Sequence, residues 1–293
     1  MKLILNLFLW TSFIPVLGQR IAVLERNCYS SSSPYCDIDS SSYKIFLREL
    51  FVKKGSSWWP IRNYVREDTA ATIKWNVQYT FVYKNQVQRI KGVRRKKELN
   101  CYLSNQLFSV KLNPVIKLNR LPQGLLDGFE HKDITHYKIV SDIPDPISSL
   151  EFKNELLPQE LRDSVCHKVC NKMKECGFSC NTKTFPYFFC ESIGSSLRVL
   201  DDSLRLGRIR IFSQNNCFNQ SGSSYGGGNL SFIVHGEKKV QLLYTNTELI
   251  DYGDYDHDGR TEYIFMASWF NDYAYILFYD NFEKYVSNGW SYH

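Results

Sequence analysis

A mainly antiparallel β fold with one short Cys-rich helical segment is the class this 293-residue sequence predicts, and three observations predict it. Tyr and Phe number 19 each and Trp 6, a composition that favours pleated, half-buried surfaces over a helical bundle. Between positions 73 and 83, Ile73, Trp75, Val77, Tyr79, Phe81 and Tyr83 alternate with mostly polar neighbours, the period of a strand with one buried face. A single stretch, after Pro158, carries apolar residues at helical spacing. Hydrophobic residues at 43% and charged ones at 23% exclude a disordered chain, a collagen-like repeat and a polytopic membrane protein.

From the amino end, Lys2 precedes an apolar run from Leu3 to Val16, broken by Pro15, and Val16-Leu17-Gly18 places small residues ahead of Gln19. Residues 1–18 therefore read as a secretory signal peptide, too short to cross a hydrocarbon core of ~30 Å comfortably. No later stretch reaches spanning length, so the mature chain is expected to be soluble and secreted, periplasmic or extracellular. Nine cysteines, Cys28, Cys36, Cys101, Cys166, Cys170, Cys176, Cys180, Cys190 and Cys217, suit an oxidising compartment and are the disulfide candidates. Their number is odd, which leaves at least one free or paired with another molecule.

The organisation expected after the leader is a basic β-rich region over 19–150, a Cys-rich helical segment over 151–190 and a β-rich region over 191–293. The strand ending at Tyr83 turns through Lys84-Asn85-Gln86 into Val87–Val93, and two or three short strands are expected within Cys101–Leu112. Pro114, Pro122, Pro144 and Pro146 mark 113–157 as a long connection with short elements, with a domain boundary near 150. Pro158, Glu160 and Asp163 suit a helix start, and Leu161, Val165, Val169 and Met173 form its apolar stripe. Cys166 and Cys170 lie one turn apart on nearly that stripe, and bridges to the following loop would brace it. A zinc cluster of these cysteines with His167 lacks the usual two-residue knuckle spacing. Leu230–Val234 and Val240–Tyr244 flank a Gly-Glu-Lys-Lys turn. Tyr263–Ala267 and Ala274–Tyr279 are apolar on both faces, which predicts central strands.

Charge is uneven: residues 41–120 hold 17 basic and 4 acidic side chains, and residues 247–293 hold 2 and 9. Such polarity serves attraction between the two segments, an anionic partner for the first, or two solvated faces. The densest basic run, 91–97, is either a solubilising hairpin tip or a patch for an anionic glycan or surface. Nucleic acid is not the partner expected of an exported chain.

Asp254-Tyr255-Asp256-His257-Asp258-Gly259-Arg260-Thr261-Glu262 is the most informative stretch. Four carboxylates so close repel one another unless a cation sits between them. Gly259 permits the sharp turn, and the carbonyl of Arg260 is placed to complete a shell of hard oxygens, which suits Ca²⁺. Phe265 stands where an EF-hand needs a bidentate acid, and β-type residues follow instead of a helix. The segment from Asp251 to about Tyr279 resembles the FG-GAP and VCBS-type calcium repeats, whose loops bind the ion between strands. That resemblance implies Asp254, Asp256, Asp258 and Glu262 as side-chain ligands, Arg260 as a backbone ligand, and a propeller-like blade at the carboxyl end. It rests on one acidic loop, without a Phe-Gly…Gly-Ala-Pro signature, and covers about a tenth of the chain.

No Gly-x-Ser-x-Gly or His-Glu-x-x-His motif is present. The function expected is therefore a secreted or cell-envelope, calcium-stabilised protein with a binding or adhesion role. The alternative is a secreted hydrolase with dispersed active-site residues and a structural calcium.

Overall fold

The computed structural model describes residues 19–27, 45–61, 79–83, 86–90, 94–95, 108–110, 119–120, 134–142, 153–175, 196–201, 204–211, 228–235, 239–245, 247–269 and 272–291. Their strands form three antiparallel sheets, with one α-helix among the described residues.

The first sheet is built around β1 (Arg20–Asn27), which pairs with β2 (Ile45–Lys54) on one side and directly with β9 (Ile134–Ser141), distant in sequence, on the other. β3 (Ser57–Pro60) folds back on β2 through Gly55, whose φ of 60° lies in the left-handed region that favours glycine. β4 (Tyr79–Tyr83) and β5 (Gln86–Ile90) form the expected hairpin, and β4 joins the sheet beside β9. The residues from 73 to 78 that begin the alternating run lie outside the described residues. Short strands β6 (Arg94–Arg95), β7 (Phe108–Val110) and β8 (Asn119–Arg120) complete this sheet. β6 falls within the basic run 91–97; the rest of that run lies outside the described residues.

The segment 113–157, expected as a connection with short elements, contains the eight-residue β9, inserted between β4 and β1 near the middle of the sheet. The prolines lie on either side of it rather than within it, and Tyr137 and Ile139 are fully committed to the core.

A second sheet runs in chain order from β10 (Lys153–Leu156) through β11 (Ser196–Asp201), β12 (Leu204–Ile211) and β13 (Gly228–His235) to β14 (Lys239–Thr245). Between β10 and β11 the chain forms α1 (Gln159–Glu175), which starts just after Pro158 as the sequence predicts. Leu161, Val165 and Val169 bury against Leu197, Val199, Phe232 and Val234, and Met173 packs at the edge of that cluster. Cys166 and Cys170 are buried on α1; the other seven cysteines lie outside the described residues. The third sheet is a meander of β15 (Thr247–Gly253), β16 (Glu262–Trp269), β17 (Asp272–Tyr279) and β18 (Lys284–Ser291).

The sheets stack with the third in the middle. Ile250, Ile264, Met266, Tyr275, Leu277 and Tyr279 pack against Ile21, Val23, Phe51 and Trp58 of the first sheet. The alternate residues Leu249, Phe265, Ile276 and Phe278 pack against Leu204, Leu206 and Ile233 of the second. β16 and β17 are central strands covered on both faces, which is why their sequences show no polar face. The region 191–293 thus supplies strands to two sheets.

Polar bonds join the layers as well. Arg48 donates to Glu25 at 3.1 Å, and the Tyr275 hydroxyl donates to the same carboxylate at 2.8 Å, all three being buried. Tyr137 donates to the carbonyl of Ile250 and Asn288 to that of Leu50. On the other side Arg198 and Arg208 both pair with the buried Glu248.

Candidate metal centre

The acidic loop joins β15 to β16, adjacent antiparallel strands of the middle sheet. Its shape follows from its own side chains. Asp254 accepts hydrogen bonds from the backbone N–H of Asp258 at 3.1 Å and of Gly259 at 3.0 Å. Asp256 also accepts from Asp258 N–H, and Asp258 accepts from Arg260 N–H at 2.8 Å. Short acidic side chains that bond backbone a few residues on stabilise tight turns of this kind. The chain reverses through two left-handed positions, His257 at φ 56° and Gly259 at φ 83°. A side chain at Gly259 would meet no atom within 4 Å, so its glycine is required by backbone angle alone.

One residue ties the loop to the interior. Tyr255 is 1% exposed and belongs to the core between the first and third sheets. Its backbone N–H donates to Glu262 at 2.7 Å, which brings the two ends of the loop together.

Asp254, Asp256 and Glu262 converge: each offers a carboxylate oxygen, and the three lie within 4.8 Å of one another. This acidic group could hold a metal ion. Asp256 and Glu262 are buried and Asp254 is half-buried. Asp258 is exposed and does not join the group. Arg260 is also exposed, and its guanidinium pairs with Asp280 at 2.7 Å, so its side chain is turned to the neighbouring turn. Asp280 accepts from Lys284 at 2.6 Å too, and these two cations hold its carboxyl below the usual range.

Crowding of negative charge is written into the protonation of Glu262. Burial first, then the neighbouring Asp256, push its pKa up to about 8, against opposing contributions from Tyr255 N–H and Lys53. A carboxyl raised this far is one that a nearby cation would strongly favour in its ionised form.

Two partners came from far away in the chain. Lys53, at the end of β2, makes an ion pair with Asp256, and Gln19 donates to the Asp256 carbonyl at 2.9 Å. Neither was legible in the loop's sequence. The one available signal was the opposite charge of segments 41–120 and 247–293, which this ion pair joins. Beside the loop lies an open pocket of about 520 Å³, lined by Lys53, Ser56, Asp256, Asp258, Arg260 and Asp280 among others. No protein-family model, curated protein or solved structure matches this chain.

Proposed function

We propose that this is an exported β protein with a binding or adhesion role, stabilised by calcium at the loop between β15 and β16. Asp254, Asp256 and Glu262 would hold the ion, which supplies positive charge where three carboxylates crowd. The observation that carries the reading is their convergence within 4.8 Å at the edge of the middle sheet. Hard oxygen donors of this type suit Ca²⁺, and the remaining positions of its six to eight are commonly filled by carbonyls and water. The strand–loop–strand setting supports the likeness to FG-GAP and VCBS-type repeats.

Export is supported by the apolar leader and by the cysteine content. Both cysteines that fall among the described residues, Cys166 and Cys170, are disulfide-bonded. A binding role is supported by two exposed aromatic side chains among the described residues. Trp59 on β3 is 53% exposed with Lys54 above its ring, and Tyr285 on β18 is 55% exposed. Rigid aromatic faces beside cations are economical recognition surfaces.

Melting of the purified protein in CaCl2 and in chelator tests the reading. At ~1 mM free ion and a Kd of ~0.1 mM, calcium adds about 1.4 kcal/mol, a rise of roughly 2–4 °C for a chain of this size. Asp256→Asn should lose that rise. Equal melting of the natural protein with calcium and with chelator would sink the proposal.

A further inference from the structure

The cation already present at the acidic group is an ammonium. Lys53 Nζ is seated on Asp256 Oδ2, across the boundary between the first and third sheets. Its side chain is 15% exposed and that of Asp256 2%. Two aromatic faces flank it, with Nζ 5.4 Å from the centre of the Trp58 ring and 5.9 Å from that of Tyr279. The ammonium is therefore held in a built position, not loosely placed on a surface acid. The other oxygen of Asp256 takes the N–H of Asp258.

A divalent ion bound by Asp254, Asp256 and Glu262 shares Asp256 with this ammonium. Two cations on one buried carboxylate repel strongly, because little water screens them. We infer that Lys53 is a built-in competitor of the divalent ion: the ion binds only by displacing the Lys53 ammonium from Asp256. The inference rests on the calcium reading above and assigns the regulation of that site. Backbone ties survive the exchange. Lys53 N–H still donates to the carbonyl of Gln19 at 2.8 Å, and Gln19 to that of Asp256. What changes is one salt bridge between sheets, and the freed side chain moves into the open pocket that Asp258 and Asp280 also line. Calcium affinity is thereby set by a residue outside the loop. The site then responds to ion concentration over a higher range than its carboxylates alone would give.

The test titrates CaCl2 into the natural protein, K53Q and K53R by calorimetry. Removing the competing charge should tighten calcium binding about tenfold in K53Q, equivalent to ~1.4 kcal/mol. K53R keeps the charge and should bind as the natural protein does. A second measurement needs no variant: acylation of Lys53 by an amine-reactive reagent, read by peptide mass spectrometry, should rise severalfold when CaCl2 is added. Equal calcium affinity in the natural protein and K53Q, or Lys53 labelling unchanged at saturating calcium, overturns the competition while leaving calcium binding intact. Absence of calcium binding in all three proteins overturns the calcium reading and the competition with it.

Discussion

Replacing Glu262 by glutamine removes a buried ionisable carboxyl while keeping the side chain's shape, and its effect on stability should depend on both pH and calcium. In chelator, the folded protein holds the Glu262 proton up to a pKa of about 8, whereas the unfolded chain releases it near the ordinary 4.5. Between those values the folded state binds more protons than the unfolded one, so stability falls as pH rises through this window and levels off above about 8. At 1.36 kcal/mol per pH unit the whole window corresponds to roughly 5 kcal/mol as an upper bound. Side-chain relaxation and water entry reduce penalties of this kind, and about 2 kcal/mol is the loss expected. Glu262→Gln has no such proton to lose. In chelator it should match the natural protein near pH 5 and exceed it at pH 9. With calcium the order reverses at high pH, because the ion stabilises the ionised carboxylate and glutamine cannot supply that charge. Urea unfolding at pH 5, 7 and 9, with CaCl2 and with EGTA, measures all of this. If the two proteins show the same pH dependence in chelator, the burial and charge argument for Glu262 is wrong.

Two further predictions concern the stack itself. Gly207 on β12 lies opposite Phe232 on β13, and an added Cβ would stand 2.0 Å from the Phe232 ring, so Gly207→Ala should cost ~1–3 kcal/mol in urea unfolding. Combining it with Phe232→Leu should recover part of that cost, and additive losses would exclude the proposed clash. Arg48→Met leaves the buried Glu25 carboxylate without its guanidinium and should cost ~3–5 kcal/mol, while Arg48→Met with Glu25→Gln should cost less. Equal stability of Arg48→Met and the natural protein would show that this ion pair is dispensable.

How much of this was legible in the sequence depends on how local each cause is. The β4–β5 hairpin, helix α1 and the central strands β16 and β17 each carry their signal in consecutive residues. The doubly apolar strands are the clearest case, because only a position between two sheets makes both faces buried. β1 and β2 were harder, since Glu25, Arg48 and Glu49 occupy buried positions and interrupt the apolar pattern. Their burial is compensated by partners on other strands, such as Tyr275 for Glu25 and Tyr79 for Glu49. The same division runs through the candidate site. Asp254, Asp256 and Glu262 are neighbours in sequence, so their convergence could be anticipated. Lys53 and Gln19 lie 203 and 237 positions from Asp256, and no local pattern reports such a contact. Asp258 shares the acidic spacing but bonds Arg260 N–H and stays exposed, so spacing alone did not separate a turn-forming acid from one that joins the group.

The position of the loop also decides what kind of effect a cation has on this protein. An acidic loop that projects into water can bind an ion and order only itself, leaving global unfolding unchanged. Here the loop is attached to the interior at three points. Tyr255 is packed in the core between the first and third sheets, Glu262 begins the central strand β16, and Asp256 meets the first sheet through Lys53 and Gln19. Negative charge left unbalanced among Asp254, Asp256 and Glu262 pushes on all three attachments. A cation that relieves it acts on the contact between two sheets, so its effect belongs in the global unfolding free energy and not only in local protection of the loop. Lys53 supplies part of that balance in the absence of a metal ion. If calcium binds as proposed, the stack can therefore form before it does, and the ion would add an increment of stability instead of being a condition for folding.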